Sequence, residues 1–380
     1  MQYCVLGAGM MGRAVAYDLA MHEPEATVVL ADIDVTRAEQ VARAIGPRVR
    51  PVGVDVHQEA ELRALLRGVS VVVSAVSYTV NPLVTRAAID TGTSMCDLGG
   101  NNDVVHAQLA LEEPARQAGV LIVPNCGLAP GLVNVLAMHG AASFEHLEEI
   151  HLRVGGLPQH PRPPLNYEIV FSVDGLINEY VEPAEVIRDG QRRQVPSLED
   201  LESMTFAAPF GELEAFTTSG GLSLLPQLLD GRVRELDYKT IRYPGHCGKM
   251  RTLVELGFAS SEPIVMGPVV RTAREVFADL LARKLPSGGK DVVVGRVTIT
   301  GTRQGRPATL EYELRDYYDE KTGMSAMMRT TAYPTAIIAA LVAGGVIAER
   351  GVRTPEQCVP GDRLLEALAE RGIHVEQREG

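Results

Sequence analysis

An apolar run, Gln2–Leu6, opens directly into Gly7-Ala8-Gly9-Met10-Met11-Gly12, after which Val15, Leu19 and Ala20 recur at helical spacing through residue 22. Strand, glycine turn and helix in so short a stretch constrain the chain to begin with a βαβ unit. Gly7 permits the tight turn, Gly9 lets backbone N–H groups approach a pyrophosphate, and Gly12 lets the helix pack against the strand. Met10 and Met11 lie on the same cradle, and the helix amino end turns its partial positive charge toward the phosphates. A second strand, residues 27–31, closes on Asp32, 20 residues beyond Gly12. That is the spacing of an acid that accepts from the adenosine ribose hydroxyls and repels a 2′-phosphate. No Arg follows in Ile33-Asp34-Val35, so the expected cofactor is NAD rather than NADP.

The alternation continues with strand 52–56, helix 59–67, strand 70–76, helix 81–91, strand 94–98, helix 104–118 and strand 120–123. It predicts an α/β fold, a Rossmann-type doubly wound parallel sheet. Such sheets bind ligands beyond the carboxyl ends of their strands, which nominates Asp55, Val56, Ala75, Val76, Ser77, Asp97 and Asn125. Each of these reads equally well as a cap or a turn residue.

After Pro124 the pattern changes to a helix at 131–144 and strands at 149–154 and 167–173. Two short strands follow within 184–195 about Asp189-Gly190, then a strand at 233–242, an amphipathic helix at 269–285, and extended runs at 292–300 and 308–316. This is the pattern of an inserted α+β domain for substrate binding and dimerisation. The expected division is residues 1–125 plus 330–380 for the nucleotide domain and 126–329 for the insertion, with an uncharged helix at 334–348 rejoining the first.

Composition limits the function classes. Thirty-six basic against 48 acidic residues give a formal charge of −12, the wrong sign for a nucleic-acid partner. Five scattered cysteines form neither a disulfide framework nor a zinc motif, and no His pairs with a carboxylate at ligand spacing, so no metal is expected. Reduced thiols fit the cytoplasm. No basic region precedes the first strand, so no signal peptide is expected. The uncharged stretch 330–348, diluted by Ala, Thr, Pro334 and Gly344-Gly345, reads as a buried core helix rather than a membrane span. A homo-oligomer is the expected state.

The glycine loop, then Ser77-Tyr78-Thr79, Asp97-Leu98-Gly99-Gly100, Gly127-Leu128-Ala129-Pro130-Gly131 and Thr240-Ile241-Arg242-Tyr243-Pro244-Gly245-His246 occur in an order that resembles the saccharopine-dehydrogenase-like oxidoreductases. Within that family the chain is most similar to the branch that oxidises lysine, the lysine 6-dehydrogenases. Saccharopine reductases carry Asp where this chain has Ala129. They also place an Arg for the glutamate moiety just after the strand that here ends in Phe171-Ser172-Val173, where this chain has Asp174. The resemblance implies oxidation of the ε-carbon of L-lysine by NAD, giving an imine that water hydrolyses to the 6-semialdehyde and ammonia.

Hydride can leave only a neutral amine, and the ε-amine has a reference pKa of about 10.4, so the site must remove a proton. His246 and Asp174 are the candidate bases, with Tyr78 as a relay. His246 reads equally as the cap of a helix over 247–256, and Asp174 as the cap of one over 175–180. Arg242 is the candidate grip for the α-carboxylate because its fork matches that group at two points. A surface Arg at a strand end is the plain alternative. Thr240, Tyr243 and Asp97 are candidate substrate neighbours or ordinary packing residues. Cys126 has no partner base in the sequence. A saccharopine-type reductase and a non-catalytic NAD-binding regulator are the competing functions.

Overall fold

A computed structural model describes residues 1–170, 172–266 and 269–380. The chain divides into two units, Met1–His139 with Met328–His374, and Gly140–Met327 with Val375–Gly380. The first therefore extends past residue 125, and the last six residues belong to the second.

Unit 1 is built on β1 (Gln2–Leu6), β2 (Thr27–Asp32), β3 (Val49–Gly53), β4 (Val71–Ser74), β5 (Ser94–Asp97) and β6 (Leu121–Val123). With a short strand, Gly351–Val352, they form a parallel sheet in the order Gly351–Val352, β6, β5, β4, β1, β2, β3. The order reverses at β1, as in a doubly wound sheet. Strands such as Val71-Val72-Val73 are wholly buried, which their near-continuous apolar sequence anticipates.

Three expected elements shift for identifiable reasons. The third strand lies at Val49–Gly53, not 52–56, and tolerates Pro51 because it is an edge strand. The helix expected at 104–118 is two, Asn102–Leu109 and Glu112–Gln117. Pro114 cannot donate back to Ala110, so it sits in the first turn of the second helix. The helix expected at 334–348 instead spans Ala326–Ala343, takes in Arg329 in its first turn and Pro334 in its interior, and ends at Gly344-Gly345. It is apolar and long enough to cross a membrane by length and composition, and 67% of it is buried in the protein.

Unit 2 carries a mixed sheet of β7 (His146–Pro158), β8 (Ala184–Arg188), β9 (Gln191–Val195), β10 (Glu202–Phe206), β11 (Gly211–Thr217) and β12 (Glu235–Arg242). A separate hairpin, β13 (Pro263–Met266) and β14 (Val269–Thr272), precedes β15 (Asp291–Arg303) and β16 (Arg306–Tyr317). The main path runs β10, β11, β12, β7, β15, β16 and the C-terminal strand Val375–Glu379, with β8 beside β12 and β9. Only the β12–β7 pair on this path is parallel. The helix expected from residue 269 begins at Ala273, because Thr272 and Glu275 form a capping box and the β-branched residues before it take the strand. Residues 167–170 are not a strand but an irregular segment with a single bridge, Ile169 to Ser287. Phe171 lies outside the described residues.

Candidate active site

The parallel sheet of unit 1 brings the loops after its strands to one edge. Gly7 has φ 99° and donates its N–H to the Ala31 carbonyl at 2.7 Å, and a Cβ there would lie 2.7 Å from the Ala75 carbonyl oxygen. A Cβ at Gly12 would drive into the Gly7 carbonyl. Above Gly9 there is open space, with no protein atom within 4 Å of where a Cβ would stand. Helix Met10–His22 starts from Gly9 with no side chain capping it, and Met10 is exposed beside the half-buried Met11. Uncapped N–H donors facing open space fit a dinucleotide pyrophosphate.

Asp32 ends β2 as expected. One carboxylate oxygen accepts the Ala8 N–H at 2.6 Å and the other the Asp34 N–H at 2.9 Å, so loop and acid are fixed to each other. Ala75 ties to β1 through Leu6, Val76 and Val56 pack against the apolar core, and Ser77 is exposed with its hydroxyl on Thr79. Asp55 shapes its own turn by accepting the His57 N–H. Tyr78 stands in the turn after β4 with its ring against Gly100.

Asp97 is corrected to scaffold. Asp97 is completely buried, and its carboxylate accepts from Gln108 Nε2 at 2.7 Å, the Gly99 N–H at 2.8 Å and the Asn125 N–H at 3.2 Å. Burial raises its pKa against the pull of those three donors. Asn125 is buried too, in a left-handed conformation with φ 64°. Cys126 is likewise buried, and desolvation holds its thiol well above the usual range.

In unit 2, β12 ends in a buried polar cluster. Arg242, 3% exposed, donates Nε to the Tyr180 hydroxyl at 3.2 Å and Nη1 to the Ile241 carbonyl at 2.9 Å, and its guanidinium lies 4.9 Å from the Tyr167 ring centre. Burial opposes its charge, but Tyr180, Tyr167 and Glu179 together raise its pKa. Its Nη2 makes no hydrogen bond to a described residue and reaches only Glu179, at 4.0 Å. The other buried cations described in unit 2 are paired: Arg153 with Asp237 at 2.7 Å, and Lys239 with Glu202 at 2.7 Å.

His246 joins this cluster but not as a base. Its Nδ1 is 3.0 Å from the Leu165 carbonyl, which can only accept, so Nδ1 carries the proton. Nε2 must then accept the Tyr180 hydroxyl at 2.9 Å. Burial, reinforced by the Arg242 charge, pushes its pKa down to about 3. Nor does it cap the helix His246–Glu255. Gly245 is the N-cap, and Glu214 holds the Gly245 and Cys247 N–H groups at 2.8 and 2.6 Å.

Asp174 is corrected as well. Its side chain is 76% exposed, 3.8 Å from Arg274, and the cap of helix Val173–Val181 is Ser172, whose Oγ accepts the Gly175 N–H. Thr240 is buried against the Thr218 hydroxyl at 2.7 Å, and Tyr243 donates its hydroxyl to the Pro158 carbonyl at 2.9 Å. Sequence reasoning missed Tyr180, Glu179 and Tyr167. The only signal was the spacing of Leu176, Ile177 and Tyr180 on one helical face, which marks burial and not chemistry.

The profile of the Saccharopine dehydrogenase NADP binding domain matches residues 3–123, and that of the Saccharopine dehydrogenase C-terminal domain matches residues 127–373. The chain belongs to the saccharopine dehydrogenase family. Residues 3–123 correspond to that family's nicotinamide-dinucleotide-binding domain. It is 23% identical to the Saccharomyces cerevisiae saccharopine dehydrogenase (NADP(+), L-glutamate-forming) over 460 aligned residues, covering 98% of each chain. It is 25% identical over 268 residues to the mitochondrial alpha-aminoadipic semialdehyde synthase of Mus musculus, covering 68% of this chain. This saccharopine dehydrogenase family chain spans only 28% of that mouse protein and 41% of its rat counterpart. The fold matches apo saccharopine dehydrogenase from S. cerevisiae with a TM-score of 0.83 at 20% identity, covering 100% of this chain and 99% of the other. It also matches the homospermidine synthase of Legionella pneumophila in complex with NAD, with a TM-score of 0.69 at 13% identity, covering 100% and 91%.

Proposed function

We propose that the chain oxidises the ε-amine of L-lysine with NAD, releasing ammonia. The nitrogen gives up a proton and C6 gives up a hydride, forming a C=N bond. Water adds to that carbon, ammonia leaves, and the 6-semialdehyde closes onto its α-amine, losing water, to give piperideine-6-carboxylate. A nicotinamide in the unit 1 cradle supplies the hydride acceptor. The chain's own tasks are to hold the α-carboxylate, which we assign to Arg242, and to pass the amine proton on to bulk water, a relay we assign to Tyr78 because His246 Nε2 already accepts the Tyr180 proton and Asp174 is solvent-exposed.

The observation that carries this reading is that Arg242 is the one buried cation, among the described residues of unit 2, whose fork has no carboxylate within hydrogen-bond reach. One open fork suits the single carboxylate of lysine and not the three of saccharopine. A saccharopine-type reaction is the second reading, favoured by the names of relatives that align along nearly the whole chain. Incubating the protein with NAD and either lysine or saccharopine, and following NADH absorbance with ammonia and glutamate release, separates the two. Lysine-dependent NADH and ammonia support the first reading, and glutamate from saccharopine without lysine turnover replaces it with the second. Arg242→Lys keeps the charge and loses the fork, so KM for lysine rises at least tenfold while the Kd for nucleotide stays put.

A further inference from the structure

Arg242 Nη2 and Glu179 Oε2 face each other at 4.0 Å, too far for a hydrogen bond. Neither the Glu179 carboxylate nor that guanidinium nitrogen bonds any other described side chain or backbone group. Helix Val173–Val181 holds Glu179 in place through its own backbone, since the Ser219 N–H donates to the Glu179 carbonyl at 3.1 Å and the buried Tyr180 follows it. An opposed cation and anion 4.0 Å apart, each with open hydrogen-bonding capacity, are close enough for one small polar group to bridge both from the side.

We propose that Arg242 and Glu179 together read the head of a free α-amino acid, the guanidinium taking its carboxylate and the Glu179 carboxylate its α-ammonium. The proposal builds on the assignment of Arg242 as carboxylate grip and makes Glu179 a specificity residue. Ammonium and carboxylate are attached to the same carbon in such a head, in the complementary order of charge. The ε-amine of an extended lysine lies four methylenes further on, out of reach of a carboxylate beside Arg242.

Occupancy should follow pH. Glu179 faces Arg242 and Tyr238 from β12, Tyr167 from the irregular segment and Tyr180 on its own helix. Burial lifts the Glu179 carboxyl to about 7, against the opposing pull of Arg242, and water at the open third of its side chain tempers that lift. Burial raises all three phenols, and His246 on the neighbouring helix stays neutral. Of these groups only Glu179 changes charge between pH 6 and pH 8.

Calorimetric titration of the nucleotide-free protein with L-norleucine and with hexanoate tests the pair without any ε-amine chemistry. Norleucine should bind at least tenfold tighter than hexanoate at pH 8, with the margin shrinking toward pH 6. Glu179→Gln should erase the margin while hexanoate affinity stays within twofold, and Glu179→Asp should keep part of it. A margin that survives Glu179→Gln, a loss shared equally by hexanoate, or no margin in the unmodified protein overturns the proposal. A Glu179-dependent margin in a protein that fails to turn over lysine leaves the head-reading pair standing and rejects lysine oxidation alone.

Discussion

Tyr180 gives its hydroxyl proton to Nε2 of His246, so the phenol has no second proton to donate and the imidazole no second lone pair to offer. With the Arg242 Nε donating into the same hydroxyl, the three side chains form a directed chain that ends on the Leu165 carbonyl. The consequence is thermodynamic. The folded pKa of about 3 lies below the ordinary histidine value, so the unfolded chain binds the extra proton between the two. Stability is complete above about pH 6.5 and is lost as pH falls toward 3. From this group alone, unfolding free energy should fall by about 2 kcal/mol between pH 7 and pH 5. Urea denaturation at both pH values measures it, and His246→Asn should flatten that part of the dependence. An unchanged difference in the variant would mean that His246 is protonated in the folded protein.

Asp174→Asn should leave kcat/KM for the substrate within about twofold of wild type, because an exposed carboxylate 3.8 Å from one Arg contributes little. A tenfold loss with an unchanged melting temperature would return Asp174 to the reacting centre.

Asp97→Ala should cost about 2–4 kcal/mol of stability by leaving two backbone N–H groups and one of the two Gln108 amide N–H donors without an acceptor. Thermal melts check the cost. An activity loss with no change in melting temperature contradicts the scaffold role.

Asp32→Ala should narrow a preference for NADH over NADPH, measured by fluorescence titration. The variant removes the charge that meets a 2′-phosphate and frees the Ala8 N–H to bond it. Equal affinity for both nucleotides in the unmodified protein would refute the NAD assignment.

The nucleotide half of the molecule was legible because its chemistry is local. Gly7, Gly9, Gly12 and Asp32 fall within one βαβ unit, and their spacing alone states what the backbone must do. Arg242 could be nominated from its place at a strand end, but its open fork is a property of distant partners. Glu179 lies 63 positions away in the chain and Tyr180 lies 62. Asp174 and Asp97 mislead for opposite reasons. The first looks chemical because it is charged, yet it is solvated. The second is positioned at a strand end like a ligand contact, but Gln108, on the helix after its own strand, draws it inward. His246 shows the same limit, since only Leu165, 81 residues earlier, reveals which nitrogen carries the proton.

Arg242 sits on β12, flanked in the sheet by β7 and β11, whereas Glu179 and Tyr180 ride on a nine-residue helix whose start is held by a single serine hydroxyl. The two halves of the head-reading pair therefore differ in how freely they can change over evolutionary time. A substitution on the strand disturbs three strands at once, while one on the helix alters a single turn. Descendants of this scaffold can exchange what they accept beside a carboxylate by rewriting the helix, with the anion anchor inherited intact.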